Sequence, residues 1–311
     1  MKSTARAACF LALCAATASV TAQVVINEFS AANYTLGFGG GNEDFLELYN
    51  PGATAANLAG YWLSDNPLDP QKFEIPAGTT VPAGGRLTII CSGDGDVPGS
   101  LMAGGFLNTN FRVNQTDGES IVLSDPAGNV LESHTFGSEW SPNLADHSWS
   151  RVPDGSNVWR VATSPTPNAA NTAGSTFEGY APVPTFNVPA GHSPTALSIE
   201  LSAPAGFVIR YTTNGYEPTA TSTAYSGPIA VNATTVIRAR CFDPGGVRAT
   251  GPTETNTYFI GGDQHSIIVV SLSGDEAEDG EWPGGWWGPA EEPAHVEFFY
   301  PDGTFWCEAS G

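Results

Sequence analysis

The residues that could do chemistry lie together near the start of the chain. One apolar stretch carries the adjacent pair Asn27 and Glu28, and a second carries Asp44 and Glu47. Two carboxylates can share acid and base roles in sugar hydrolysis only when they stand roughly 5–10 Å apart in a cleft. Because the chain holds 32 Asp and Glu residues, any pair chosen from sequence would be arbitrary. We therefore predict no catalytic residues, and we expect the carboxylates of residues 24–65 to face solvent.

A glycine-rich segment, Gly37–Gly41, separates the two stretches. Such a segment can cradle a phosphate when it has the full glycine spacing, a Lys-Ser/Thr pair and a helix after it. Here the spacing and the Lys-Ser/Thr pair are missing, and the strand-like Phe45–Tyr49 follows. A hairpin loop is the favoured interpretation.

Two acidic clusters, Asp94 with Asp96 and the group Asn42, Glu43 and Asp44, could bind a metal ion. Asp94 and Asp96 flank a glycine and could offer oxygen ligands to calcium, which takes about 6–8 oxygens. Neither belongs to an EF-hand pattern, and a solvated acidic loop is the alternative. The five histidines are scattered, without His-x-x-x-His or Cys-x-x-Cys spacing, so no zinc site is expected. Calcium at Asp94 and Asp96 is the one cofactor that the sequence suggests.

Three tryptophans lie in a Gly- and Pro-rich stretch near the end. Trp282, Trp286 and Trp287 could stack on sugar rings, and they are the candidate ligand-binding residues. The alternative is that they belong to the core of an incomplete domain, because large exposed apolar patches are uncommon on complete monomers.

The charge balance excludes several partners. The chain has 11 basic and 32 acidic residues, for a formal charge of −21. Nucleic-acid binding depends on neutralising phosphates with Lys and Arg, so nucleic acid is excluded as a partner. An acidic surface also disfavours anionic membranes.

Residues 1–22 are typical of a secretory signal peptide. Lys2 and Arg6 supply the positive start, residues 7–16 are apolar, and Val20–Ala22 form a small-residue cleavage site. The apolar run is shorter than the roughly 20 residues that span a bilayer, and no later segment is long enough. We predict secretion, to the medium or the cell surface, without a membrane span.

Three cysteines follow the signal peptide. Cys91 and Cys241 lie in apolar strand patterns and are expected to be buried thiols. Cys307 lies near the end and could be reactive or pair between chains.

Short apolar stretches separated by turn residues recur along the chain. Asn50-Pro51-Gly52, Asp125–Asn129 and Asn214-Gly215 supply backbone angles that tight turns need. Gly and Pro number 36 and 24, and no long stretch has an apolar period near 3.6. This pattern predicts an all-β fold of β-sandwiches.

Residues 23–170 resemble a lamin-tail domain. Leu58–Asp65 is similar to its L-x-G-W-x-L-x-D segment, Phe73–Cys91 to its F-x-P-x-G-T run, and Ser148–Arg151 with Thr166–Asn168 to its closing S-x-x-R and T-P-x-x-N. The resemblance implies an immunoglobulin-like sandwich without catalytic residues.

Residues 180–260 resemble a chitobiase C-terminal-type domain. Ile209–Thr219 is similar to its I-x-Y-T-x-D-G-x-x-P-T motif, with Asn214 in place of the usual Asp, and Tyr225–Ile229 and Thr235–Arg240 continue the likeness. The resemblance implies a second, smaller immunoglobulin-like sandwich, and residues 171–179 are expected to be a linker.

Residues 261–311 resemble the start of the CotH family, secreted atypical kinases related to spore coat protein H. Ser266–Ser273 and His295–Gly303 carry the likeness. The family's catalytic segments are not found in the sequence, so we expect a truncated, incomplete C-terminal segment without kinase activity.

Two functional hypotheses remain. The first is a secreted, non-catalytic binding or architectural protein that attaches to an extracellular polysaccharide or a surface protein. The second is the accessory N-terminal region of a CotH-like kinase. The sequence leaves the oligomeric state open.

Overall fold

A computed structural model describes residues 24–38, 41–96, 102–103, 105–115, 119–136, 144–171, 176–261, 267–274 and 294–310. All regular elements among these residues are β-strands. The predicted all-β fold of tandem sandwiches is thus confirmed. A helix long and apolar enough to cross a membrane does not occur in this part of the chain.

The first sandwich is built from two facing sheets. An eight-stranded sheet has the order β14-β13-β12-β1-β2-β7-β9-β8, and a four-stranded sheet has the order β11-β10-β4-β5. Neighbouring strands are antiparallel except β7 and β9, which are parallel. The strands are β1 (Val25–Ser30), β2 (Phe45–Tyr49), β3 (Ala56–Asn57), β4 (Trp62–Ser64), β5 (Phe73–Glu74), β6 (Thr80–Val81), β7 (Arg86–Ile90), β8 (Met102–Ala103), β9 (Phe106–Asn108), β10 (Ser120–Ser124), β11 (Val130–Thr135), β12 (Ser148–Arg151), β13 (Trp159–Ala162) and β14 (Thr176–Phe177).

The core of this sandwich lies between its two sheets. Phe29 of β1 packs on Phe136, with 4.6 Å between ring centroids. Leu46 of β2 belongs to the same buried cluster as Leu63 of β4 and Ile121 of β10, which come from the opposite sheet. Each such side chain contributes roughly 1.5–3 kcal/mol when it is fully buried. This shared core fixes the eight-stranded sheet against the smaller one.

The second sandwich has a five-stranded sheet with the order β16-β23-β22-β19-β20 and two two-stranded sheets, β15-β18 and β17-β21. Tyr258, Ile199 and Ile237 are fully buried in its core. Cys241 is buried there and Cys91 is buried in the first sandwich, as expected, whereas Cys307 is exposed. The strands are β15 (Thr185–Phe186), β16 (Gly191–Ser193), β17 (Leu197–Ile199), β18 (Leu201–Ser202), β19 (Val208–Thr212), β20 (Thr223–Ala224), β21 (Ile229–Val231), β22 (Thr235–Phe242) and β23 (Glu254–Ile260).

The predicted linker contains paired backbone. Strand β14, within residues 171–179, pairs with β13 and extends the large sheet of the first sandwich. Just after it, the Tyr180 hydroxyl makes a 2.9 Å hydrogen bond with His147 Nδ1. Ala249, on a loop of the second sandwich, donates from its N–H to the Gly179 carbonyl at 2.9 Å, and it is buried in the core of the first sandwich. The junction is therefore held by backbone pairing and by shared core.

A three-stranded sheet follows, with the order β24 (Val269–Ser273), β25 (His295–Phe299) and β26 (Phe305–Ser310). One of its faces packs on the second sandwich, where Phe299 meets Phe259 edge to face at 5.1 Å. The His192 N–H donates to the Gly303 carbonyl at 3.2 Å, which fixes the turn between β25 and β26.

Candidate functional site

The carboxylates that sequence reasoning expected in solvent are buried. Glu28 and Glu47 both have 0% of their surface exposed. A β-bulge between Ile26 and Glu28 interrupts the alternation of β1, so that Asn27 and Glu28 both turn away from the sandwich core. Loops cover this second face of the sheet and exclude water. The expectation for Glu28 and Glu47 was therefore wrong. It assumed that their face of the strands is open to solvent, whereas loops cover this face.

Glu28 is held by three donors. Ser148 Oγ donates to Glu28 Oε1 at 2.6 Å, and the Thr166 N–H donates to the same oxygen at 2.9 Å. Thr166 Oγ1 donates to Oε2 at 3.2 Å. Burial raises the pKa of Glu28, and these hydrogen bonds partly oppose the rise.

Glu47 lies opposite Glu28 in the β1–β2 ladder. Its donors are Asn27 Nδ2 at 3.1 Å, the Asn168 N–H at 2.6 Å and Thr88 Oγ1 at 3.3 Å. Burial raises the pKa of Glu47 to about 7, and the facing Glu28 adds to the rise. Hydrogen bonds from Asn27 and Asn168 lower this pKa, as does the charge of Arg86.

Asp154 belongs to the same group of side chains. We call this group the buried carboxylate network and define it as Asn27, Glu28, Glu47, Arg86 and Asp154. Asn27 Nδ2 donates to Asp154 Oδ1 at 2.9 Å. Arg86 pairs with Asp154, and its Nε lies 3.6 Å from Glu47 Oε1.

The network ties distant segments to the sheet. Residues 166–171 and the loop at residues 153–155 donate backbone N–H groups to it. Every carboxylate oxygen of Glu28 and Glu47 accepts at least one hydrogen bond. Since both side chains are closed to water, the arrangement positions the end of the domain and offers no oxygen to a substrate.

A second group of carboxylates lies where the third sheet meets the second sandwich. Buried Glu297 accepts from the Thr257 N–H at 3.1 Å and from the Thr257 hydroxyl. Burial raises the pKa of Glu297 to about 7, and it raises the pKa of neighbouring Glu254 to about 7 as well. The charge of Glu308 raises both values further. These groups join the two units of structure.

The predicted calcium ligands lie on an exposed loop. Both Asp94 and Asp96 are exposed, and Asp96 Oδ2 accepts from Asn110 Nδ2 at 2.9 Å. Over the described parts of the chain, no group of three or more His, Cys, Asp or Glu side chains is arranged to hold a metal ion. Calcium at Asp94 and Asp96 stays a prediction. The predicted sugar-stacking residues Trp282, Trp286 and Trp287 lie outside the described residues.

Sequence reasoning missed a continuous apolar surface on the third sheet. Strand alternation directs Glu297 and Phe299 toward the second sandwich and their neighbours away from it. The side chains directed away form the outer face, which we define as Val270, Leu272, Val296, Phe298, Tyr300, Trp306, Cys307 and Ala309. The alternation of apolar residues in residues 269–273 and 295–299 could have revealed it, but which face is covered depends on the second sandwich.

The outer face is exposed and has two aligned rows. Across the three strands, Val270, Phe298 and Cys307 form one row, and Leu272, Val296 and Ala309 form the next. Val270 is 54% exposed, Leu272 49%, Trp306 48% and Tyr300 45%. The rings of Tyr300 and Trp306 stack with 5.5 Å between centroids. This apolar surface is available for contact, whereas the carboxylates of Glu28 and Glu47 are not.

Two family models match separate parts of the chain. Residues 17–138 match the model described as Lamin Tail Domain, and residues 188–253 match the model described as Chitobiase/beta-hexosaminidase C-terminal domain. No curated protein matches the chain. The CotH resemblance of residues 261–311 stays a prediction. The first sandwich thus carries the match to a lamin tail domain and the second the match to a chitobiase/beta-hexosaminidase C-terminal domain, as their motifs indicated.

Proposed function

We propose that the chain is a secreted, non-catalytic binding and architectural protein whose modules attach to an extracellular polysaccharide or a surface protein. The observation that carries the proposal is the contrast between polar and apolar groups. The carboxylates of Glu28 and Glu47 are buried and hydrogen-bonded within the fold, whereas an apolar and aromatic surface is exposed. Exposed apolar patches of this kind mark interaction surfaces.

The junction between the sandwiches supports an architectural role. Backbone hydrogen bonds cross it at Gly179 and Ala181, and the His147–Tyr180 hydrogen bond adds a side-chain contact. Burial, with the charge of Arg240 as a second cause, lowers the pKa of His147 to about 4, so this ring is neutral at pH 7. A fixed junction lets two modules present their surfaces at a constant spacing.

Retention assays test the attachment. The mature chain is incubated with insoluble neutral polysaccharides and with cell-wall fractions, and bound protein is measured after washing. A variant with Trp282, Trp286 and Trp287 replaced together by alanine should be retained less, and Leu68→Ala, at a 93% exposed site in the first sandwich, should be retained like the wild type. If no polysaccharide or cell-wall fraction retains the wild type, the carbohydrate proposal is wrong.

A second candidate function is an accessory region of a CotH-like kinase. Residues 269–273 and 295–299 carry the resemblance to this family. They form neighbouring strands of one sheet, and the apolar outer face of that sheet is exposed, which favours this candidate. Sequencing the coding DNA after the codon for residue 311 tests this candidate. An immediate stop codon would remove it, and an open frame with kinase segments would support it.

A further inference from the structure

The third sheet differs from the sheets of the first sandwich in how it is covered. Sheets of globular domains bury their apolar face on a second layer. The face of the third sheet that packs on the second sandwich includes the polar residues Glu297, His295 and Ser271, whereas the outer face is apolar and exposed. The outer face therefore has the composition of a sandwich interior, and among the described residues no second layer covers it.

The available area suits a small protein interface. A large side chain offers roughly 150–250 Å² when it is fully accessible, so eight partly exposed residues provide on the order of 500 Å². Two such faces in contact would bury about 1,000 Å² in total, which is the lower limit for a specific interface. An interface of this size favours a weak complex over a permanent one.

The lack of charge on the outer face makes room for a second copy of the chain. None of the eight residues of the outer face is Asp, Glu, Lys, Arg or His, whereas the whole chain has a formal charge of −21. Two copies of the chain repel each other over most of their surfaces, and the neutral outer face is where they can approach with the least repulsion.

We infer that the outer face of the third sheet is a self-association surface, on which a second copy of this chain supplies the missing layer. The two rows make the face self-complementary. A two-fold axis that runs between the rows, across the strands, sets the row of Phe298 over the row of Val296 and Ala309 of the second copy. Phe298 then lies over Val296, Leu272 over Val270 and Ala309 over Cys307, so apolar side chains meet along both rows. The inference shares this exposed face with the proposed attachment function but does not rest on attachment, because self-association is measured without any ligand.

Mass measurements on the mature chain test the inference. Light scattering after gel filtration and sedimentation equilibrium, up to about 100 µM protein, should show twice the mass of the monomer at the upper concentrations. Leu272→Glu places a charge on the outer face and should raise the Kd at least about tenfold. Leu68→Glu is the matched control, because it introduces the same change at a 93% exposed leucine far from this sheet, and it should leave the Kd unchanged.

Two further measurements distinguish other occupants. Salt screens repulsion between acidic chains, so added NaCl should strengthen the dimer, whereas it would weaken a complex with a basic partner. The exposed Cys307 should react more slowly with a thiol reagent in the dimer than in the monomer. Cys91 and Cys241 are buried and therefore should not add to the measured reaction. A wild type that stays monomeric with a concentration-independent Cys307 reaction overturns the inference, as does a dimer that persists in Leu272→Glu. A monomer in which further residues of a longer chain cover this face also overturns it.

Discussion

Replacing Glu47 by glutamine should flatten the pH dependence of the stability of the first sandwich. Burial beside Glu28 raises the pKa of Glu47 from 4.5 to about 7. A carboxyl with a raised pKa contributes its full stabilisation below pH 4.5, where both states bind the proton, and loses it as the pH rises through 7. At about 1.36 kcal/mol for each pKa unit, the loss for Glu47 is about 3 kcal/mol.

The glutamine variant keeps the shape and removes the titration. Its amide cannot accept at both ends, so a bond from Asn168 or from Asn27 is lost, which costs about 1–3 kcal/mol at every pH. We therefore expect Glu47→Gln to be less stable than the wild type at pH 5, with the difference reduced or reversed at pH 8. The prediction concerns the change in stability between pH 5 and pH 8, and not the stability at either pH.

Hydrogen exchange followed by mass spectrometry measures the opening free energy of the peptide that covers residues 25–49. This local readout is needed because a chain with several domains does not unfold in one two-state step. Thr88→Val is the control, since it removes one hydrogen bond to Glu47 and leaves the carboxyl in place. It should lower stability by roughly 1 kcal/mol and retain the wild-type slope. An unchanged slope in Glu47→Gln would refute the reasoning.

Two other substitutions test the contacts that join segments. Asn171→Ala removes a buried side chain that donates to the Asn27 carbonyl at 3.1 Å, and it should lower the opening free energy of the first sandwich by about 1–3 kcal/mol in the same hydrogen-exchange measurement. Gly303→Ala should release the third sheet, because this residue has φ +85° and a Cβ would lie 2.3 Å from His192 Cγ. Faster hydrogen exchange of residues 295–310 measures the release, and equally fast exchange of residues 235–242 would contradict it. Gly78→Ala is the matched control, since Gly78 also has a positive φ, +88°, but no atom within 4 Å of its Cβ.

Much of the strand pattern could be predicted from local sequence. Phe45–Tyr49, which is strand-like in sequence, has these same bounds as β2, because its apolar residues are followed by the turn residues Asn50-Pro51-Gly52. Strand β23 was missed, since Glu254–Ile260 begins with Glu-Thr-Asn-Thr and lacks an apolar alternation. Its pairing with β22 on one side and with β16 on the other makes it a strand. Such pairing is a property of the assembled sheet and not of the segment.

The burial of Glu28 and Glu47 could not be predicted from their own neighbourhood. Their donors Thr166 and Asn168 lie more than 100 residues away in sequence. One local signal was present: Ile26 and Phe29 are three residues apart, which breaks the period of two and is typical of a bulge. The bulge indicates that two successive side chains share a face, but only the folded loops show that this face is covered.

Most positive charges in the described part of the chain are paired with carboxylates, and this limits what its surface can bind. Nine of the eleven basic residues lie after residue 22, and all nine lie in described segments. Six of them form ion pairs with carboxylates: Lys72, Arg86, Arg151, Arg160, Arg238 and Arg240. The charge left for solvent is therefore overwhelmingly negative. When salt is added, binding to a neutral polymer should then change little. Self-association through the neutral outer face should become stronger, and binding to a basic protein should become weaker. One salt titration thus separates three kinds of partner that are all compatible with the fold.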